Sequence, residues 1–295
     1  MPHLFYKEEP MEAALKNGNN TARIAQHGAE LKSLVIGGRE YMWSGDPKYW
    51  ANTAPVMFPM IGTLKDNKTL ILGKEYSLPK HGFTRDVELT QEEATENSVL
   101  FSLEQSDYTK QFYPFDFRFT IRYTLKSDGI EVVHTVRNND KDDMPYCIGG
   151  HPAFAIDGDL SGYHLEFPNK ETLSAPIYNL DVHLFEDDNR VPVLKDSNIL
   201  DLNHEMFYKD VVYLDKVKSR SVKLLGKDNK GLRVDYPDFT SLAIWQAKNA
   251  PFLCVEPFCG SADFSDCTGV FAEKRGIEIL KPGEEKKYTF SFTAV

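Results

Sequence analysis

An all-β fold, a large antiparallel sandwich with a few short helices, follows from three properties of the sequence. Apolar and polar residues alternate with period two along many short segments, the pattern of strands with one buried face. Turn-forming clusters separate those segments at short, regular intervals. No helical pattern of ten to fifteen residues lies between them, so antiparallel sheets packed face to face are expected rather than strand–helix–strand units.

In chain order, ELKSLVI and EYMW flank Gly37-Gly38, and TLILG and EYSL flank Gly73. FTIRYTL (119–125) places Phe119, Ile121, Tyr123 and Leu125 on one side. IEVVHTV (130–136) does likewise with Ile130, Val132, His134 and Val136, and the intervening KSDG is turn chemistry, so the two form a hairpin. SVKLL and LRVDY pair around GKDNKG, and LAIWQ pairs with FLCVE around KNAP. Brief helices are expected at 106–113, 202–209 and 262–266, and the polar, turn-rich stretch 168–200 reads as loops covering the sandwich. No repeat, low-complexity tract or linker divides the chain, so residues 1–295 are expected to form a single domain.

Composition narrows the partners. The formal charge is −10, whereas nucleic acid or an anionic membrane requires a basic face, so neither is an expected partner. The N-terminal MPHLFYKEEPMEAALKNGNN has no apolar core of signal-peptide length, and no apolar run approaches about eighteen residues; a cytoplasmic location is expected. Cys147, Cys254, Cys259 and Cys267 form no CxxC pair and read as free thiols.

Three stretches carry candidate chemistry: SLPKHGFTRD (77–86), YCIGGHPAFAI (146–156) and VEPFCG (255–260). His151 lies between two glycines and a proline, which lets backbone approach a ligand and restricts the histidine to extended geometry. Glu256 ends an apolar strand, where a carboxylate must be hydrogen-bonded or change its protonation. His81 has a similar Gly-flanked position, with Arg85 and Asp86 close behind. Taken singly, each has an ordinary structural reading, a satisfied histidine or a turn-capping glutamate. Taken together, they are the equipment for general acid and base work, and the aromatics in APVMFPMIG, Phe83 and Trp245 offer flat apolar surface to a sugar ring. Two His and one Glu also make a metal triad on paper, but without HxH or HxxxH spacing no metal is expected. Nucleotide-binding and hydrolase signatures are absent from the sequence.

FPMIGTLKDN, LPKHGFTRD, GGHPAFAI, CVEPFCG and ILKPGEEKKYTFSF, in that order, resemble the aldose 1-epimerase (galactose mutarotase) superfamily, in particular its LacX-like branch. The resemblance implies a galactose mutarotase-like supersandwich with a sugar cleft, and catalysis without metal or cofactor. It implies that His151 is the general acid at the ring oxygen, Glu256 the general base at the anomeric hydroxyl, and His81 an orienting residue. Thr63 stands where relatives of that branch carry arginine, a contact that Arg85 could supply. Asp235 in RVDYPDF, or Asp86, would be the substrate-binding aspartate. The implied activity is mutarotation of a free hexose such as galactose or glucose, by a monomer or homodimer. Lys80 and Arg85 beside His81 leave a hexose phosphate open as substrate, and a non-catalytic sugar-binding protein is the alternative from another class.

Overall fold

The computed structural model describes residues 11–295. Residues 1–10, which include half of the N-terminal stretch read above for a signal peptide, lie outside the described residues. The fold is an antiparallel β-sandwich. Its larger sheet has nine strands, in the spatial order Leu184–Asp201, His164–Asn179, Ser221–Leu225, Gly231–Asp235, Glu285–Ala294, Gly129–Asn138, Phe117–Leu125, Ser98–Glu104 and Thr90–Ala94. The smaller sheet runs Val212–Leu214, Ser241–Trp245, Phe252–Cys259, Ile148–Gly150 and Val56–Met57, with Ala153–Ala155 also paired to Phe252–Cys259. Glu12–Asn17, Asn20–Ala25, Leu31–Ile36 and Arg39–Glu40 form a third, four-stranded sheet.

All five hairpins read from the sequence are present. In the central one Phe119 pairs with Val136 and Ile121 with His134, so both inward rows meet in register. These strands and the adjoining Glu285–Ala294 pack against the smaller sheet: Phe119 stacks on Phe58 at 4.6 Å between ring centroids, and Phe292 meets Phe154 edge-on at 5.0 Å. All four rings are almost wholly buried. Side chains of this size contribute roughly 1.5–3 kcal/mol each on burial, which makes the inter-sheet layer the chief adhesive of the fold.

Two local expectations differ from the structure. The 168–200 stretch is not loop: His164–Asn179 and Leu184–Asp201 form a long hairpin, with register shifts along its length. Its root is held where buried Glu171 accepts hydrogen bonds from the backbone N–H groups of Lys218 and Ser219 and from the Ser219 hydroxyl. The segment 262–266 is a turn with one bridge, Phe185 to Phe264, rather than a helix. Helix does form at Asp107–Lys110, capped reciprocally by Ser106 and Thr109, and a 3-10 turn at His204–Phe207. No helix among the described residues is long and apolar enough to cross a membrane.

One core residue is out of character. His134 is fully buried between Phe119 and Phe290, and neither ring nitrogen has a hydrogen-bond partner. Burial lowers its pKa to about 3. Above the unfolded-state value near 6.5 this has no consequence, but as the pH falls the unfolded chain takes up a proton that the folded one refuses. Stability is therefore lost between about pH 6.5 and pH 3, by about 2 kcal/mol at pH 5. Substituting His134→Leu should raise the urea midpoint, and the gain should be larger at pH 5 than at pH 7.5.

Candidate active site

Strand Phe252–Cys259 is buried on both faces, and its alternation sorts two environments. Leu253 and Val255 enter the inter-sheet core, whereas Cys254, Glu256 and Phe258 point to the opposite face of the smaller sheet. Trp245 and Tyr213 reach that same face from the neighbouring strands. There a cavity of about 290 Å³ opens, lined by His81, His151, Glu256, Trp50, Trp245, Tyr178, Phe185 and Tyr213, with Lys80, Arg85 and Asp210.

His151 follows Ile148–Gly150, and its backbone N–H donates to Pro55 O at 3.0 Å. Its ring stacks on Trp50 (4.9 Å, 30° between planes) and meets Trp245 edge-on at 5.6 Å. Held this way, Nε2 lies 3.5 Å from Glu256 Oε2. The other atoms of the pair, His151 Nδ1 and Glu256 Oε1, are buried with no partner. Unpaired buried polar atoms are costly, and two of them on an adjoining histidine and carboxylate at a cavity suit the pair to a polar ligand rather than to stability.

His81 sits in a left-handed conformation, φ 66°, in a turn closed by Gly82 N–H to Pro79 O at 2.9 Å. A Cβ on Gly82 would lie 2.2 Å from Phe58 O, so only glycine lets the turn press against the smaller sheet. The Gly62 N–H donates to His81 Nδ1 at 3.2 Å, which leaves Nε2 to carry the proton of the neutral ring. Gly62 is in turn packed so closely on Ala262 that a Cβ would fall 2.3 Å from the Ala262 Cβ. That contact is fixed by Asp263, which is ion-paired with buried Lys274 and accepts the Lys65 N–H at 2.9 Å.

Burial governs the protonation of the site. It lowers the His151 pKa to about 3, and the charges of Arg85 and Lys80 act in the same direction. His81 is held well below its ordinary value first by burial, then by His151, Lys80 and Arg85. Glu256 is pushed well above the carboxylate range by burial, with Asp210 adding to the effect and Lys80 opposing it. The two shifts run in opposite directions and favour a proton on Glu256 over one on His151, and sugar hydroxyls donating to Oε1 would favour its transfer to His151. Cys254 Sγ, His151 and Glu256 bring ligand-type atoms within 4.8 Å of one another. The Cys254 thiol is also pushed well upward by burial, so it stays protonated and is a poor ligand.

Of the residues singled out in the sequence, His81, His151, Glu256, Arg85 and Trp245 converge on the cavity. Phe83 does not: it lies in the core against Phe58 and Phe117. Asp235 does not either; it sits on the nine-stranded sheet, paired with Arg233. Thr63 stands behind the wall, donating from Oγ1 to His183 O at 2.5 Å and so tethering the tip of the long hairpin, whose Tyr178 and Phe185 line the cavity. Asp86 is exposed, 3.6 Å from Arg85 Nε. The aspartate that does face the cavity is Asp210, in a left-handed turn at φ 76°, which the sequence reading missed; its only local signal is its place after Phe207-Tyr208-Lys209 at the end of a short helical segment.

This architecture is the galactose mutarotase-like β-sandwich. The structure of a galactose mutarotase related enzyme from Lactobacillus acidophilus matches it with a TM-score of 0.91 at 29% identity, over 97% of each chain. A galactose mutarotase-like protein from Lactobacillus casei matches at 0.90 and 29%, over 97% of this chain and 100% of that one. The family model described as aldose 1-epimerase matches residues 11–293, and the chain belongs to that family. It is also 34% identical over 296 aligned residues to the plasmid-encoded protein LacX of Lactococcus lactis, covering 96% of this chain and 99% of LacX.

Proposed function

We propose that the protein is a mutarotase, interconverting the anomers of a hexopyranose such as galactose or glucose. The observation that carries this reading is the His151–Glu256 pair, 3.5 Å apart in a cavity walled by Trp50 and Trp245. In ring opening, His151 Nε2–H gives its proton to the ring oxygen while Glu256 takes the proton of the anomeric hydroxyl. The bond between C1 and the ring oxygen breaks, its electrons stay on that oxygen, and C1 becomes an aldehyde. After rotation about C1–C2 both groups reverse roles, and the C5 hydroxyl attacks the other face of the carbonyl. Concerted transfer avoids a full charge on either oxygen, and one proton shared by the pair suffices in both directions.

The remaining residues fit supporting parts. His81, neutral with its proton on Nε2, donates to the ring oxygen or a neighbouring hydroxyl. Asp210 accepts from a sugar hydroxyl near C2, and the tryptophans cover an apolar face of the ring. The deciding experiment is polarimetry on freshly dissolved α-glucose and α-galactose. The wild-type protein is expected to accelerate the decay of rotation in proportion to its concentration. Saturable sugar binding without acceleration would instead establish the binding-protein reading.

A further inference from the structure

One wall of the cavity is thin. Phe185 stacks on Tyr213 (5.2 Å, 23° between planes) and packs on Phe264 at 5.3 Å, and Tyr213 and Phe264 also line a second cavity of about 420 Å³. A network of charges braces this wall from behind. The Arg275 guanidinium lies 3.9 Å from the centre of the Phe264 ring and donates to Asp187 at 2.9 Å and Asp266 at 2.7 Å. Arg190, whose side chain is only 14% exposed, uses all five of its N–H donors. They go to Ser174 Oγ and Ser174 O, to Asp187 Oδ1 at 2.6 Å, and to both oxygens of Asp215 at 2.5 and 3.2 Å. One side chain thereby joins both strands of the long hairpin to the residue that follows Val212–Leu214.

We infer that Arg190, which does not line the cavity, is a positioning residue for it; the inference rests on the mutarotase reading for its substrate. Phe185 belongs to the nine-stranded sheet and Tyr213 to the smaller one, so their stacking closes the cavity across two sheets. Arg190 spans the same two elements a few residues further on and sets how closely the rings approach. Asp187 and Asp215 accept from the same guanidinium nitrogen. Without the guanidinium two carboxylates face each other across its place, and their repulsion pushes the hairpin away from the smaller sheet. The acid–base pair is seated independently, His151 against Trp50 and Trp245 and Glu256 within its own strand. A displaced wall therefore weakens the hold on the sugar in ground and transition state alike, which raises KM and spares kcat.

The test is steady-state anomer exchange on glucose and galactose with the wild type, Arg190→Met, Arg190→Lys, and Arg190→Met combined with Asp215→Asn. Arg190→Met is expected to raise KM by about tenfold, the scale on which small misplacements of a binding surface are felt, with kcat within about twofold of the wild type. Arg190→Lys keeps a charge between the aspartates but not the planar fork, so its KM should lie between the two. Adding Asp215→Asn to Arg190→Met removes the repulsion and should recover part of the loss. Arg118, paired with Glu92 and Glu104 on the nine-stranded sheet, supplies the control: Arg118→Met should move neither constant. An unchanged KM in Arg190→Met, or an equal rise in Arg118→Met, overturns the inference while leaving the mutarotase reading intact. If Arg190→Met does not fold, Arg190→Lys decides by the same criterion. If the wild type turns over neither sugar, calorimetry with glucose and galactose decides. A Kd raised about tenfold by Arg190→Met upholds the positioning role as the enzyme reading falls, and absence of wild-type binding overturns both.

Discussion

Glu256→Gln should leave a protein with no more than a residual catalysed rate and a higher melting temperature than the wild type at pH 8. The first effect follows from the proposed mechanism, in which this group takes the anomeric proton, a contribution typically worth about 10²–10⁴-fold. The second follows from where that group sits. Glu256 is 2% exposed, its Oε1 is unpartnered, and burial raises its pKa well above 4.5. Below about pH 4.5 the carboxyl is protonated in folded and unfolded chains alike and costs nothing. As the pH rises the unfolded chain ionises while the folded one resists, so stability is lost until the folded-state pKa is passed. A neutral amide of the same shape removes that loss, so the melting temperatures of variant and wild type should converge near pH 4.5 and diverge at pH 8. Equal melting temperatures at pH 8 would mean that Glu256 is ionised in the empty cavity, and near-normal activity would remove it from the mechanism.

The pH profile of kcat/KM should likewise depart from that of an ordinary histidine enzyme. In the proposed mechanism the active state of the His151–Glu256 pair holds one proton. Activity therefore falls on the acid side only where the pair takes up a second, and on the alkaline side where it loses its last. Burial, aided by Arg85 and Lys80, sets the acid side near the His151 value of about 3, and the raised Glu256 sets the alkaline side. Between pH 5 and pH 6.5 kcat/KM should stay flat, where a histidine with an ordinary pKa would already change it severalfold. An inflection near 6.5 that disappears in His151→Asn would show that the ring titrates as if exposed, contrary to its burial against Trp50 and Trp245.

What the sequence makes legible here is what burial on one face writes into it. The hairpin of Phe117–Leu125 and Gly129–Asn138 has one buried row per strand, and its alternation reads directly as structure. The long hairpin 164–201 carries little such signal: its outer strand is largely exposed, prolines interrupt it, and repeated register shifts scramble the period. Its aromatic tip residues Tyr178 and Phe185 therefore stay hidden until the chain is folded. The site shows the same division. His81 and His151 announce themselves through the Gly and Pro beside them, because a turn and a strand end need special backbone there; Glu256, expected at a strand end, instead lies inside Phe252–Cys259, which continues through Pro257 to Cys259. Phe83 sits in the same HGF motif, but the left-handed residues His81 and Gly82 turn the chain so that it enters the core. Asp235 alternates with buried Val234 on a strand of the opposite sheet. Asp210 reaches the cavity through a strained turn that its neighbours in the chain do not announce.

The outer strand of that hairpin, Leu184–Asp201, is also the free margin of the nine-stranded sheet. A margin of unpaired amides next to a ligand cavity invites a second chain to add itself as the tenth strand. Here Asp187, Asp188, Arg190, Pro192, Lys195 and Asp196 stud the strand, and its irregular register against His164–Asn179 leaves no straight template. The irregularity that makes this arm hard to read in sequence thus protects it from intermolecular zipping, and a cavity wall can project into solvent without seeding aggregation.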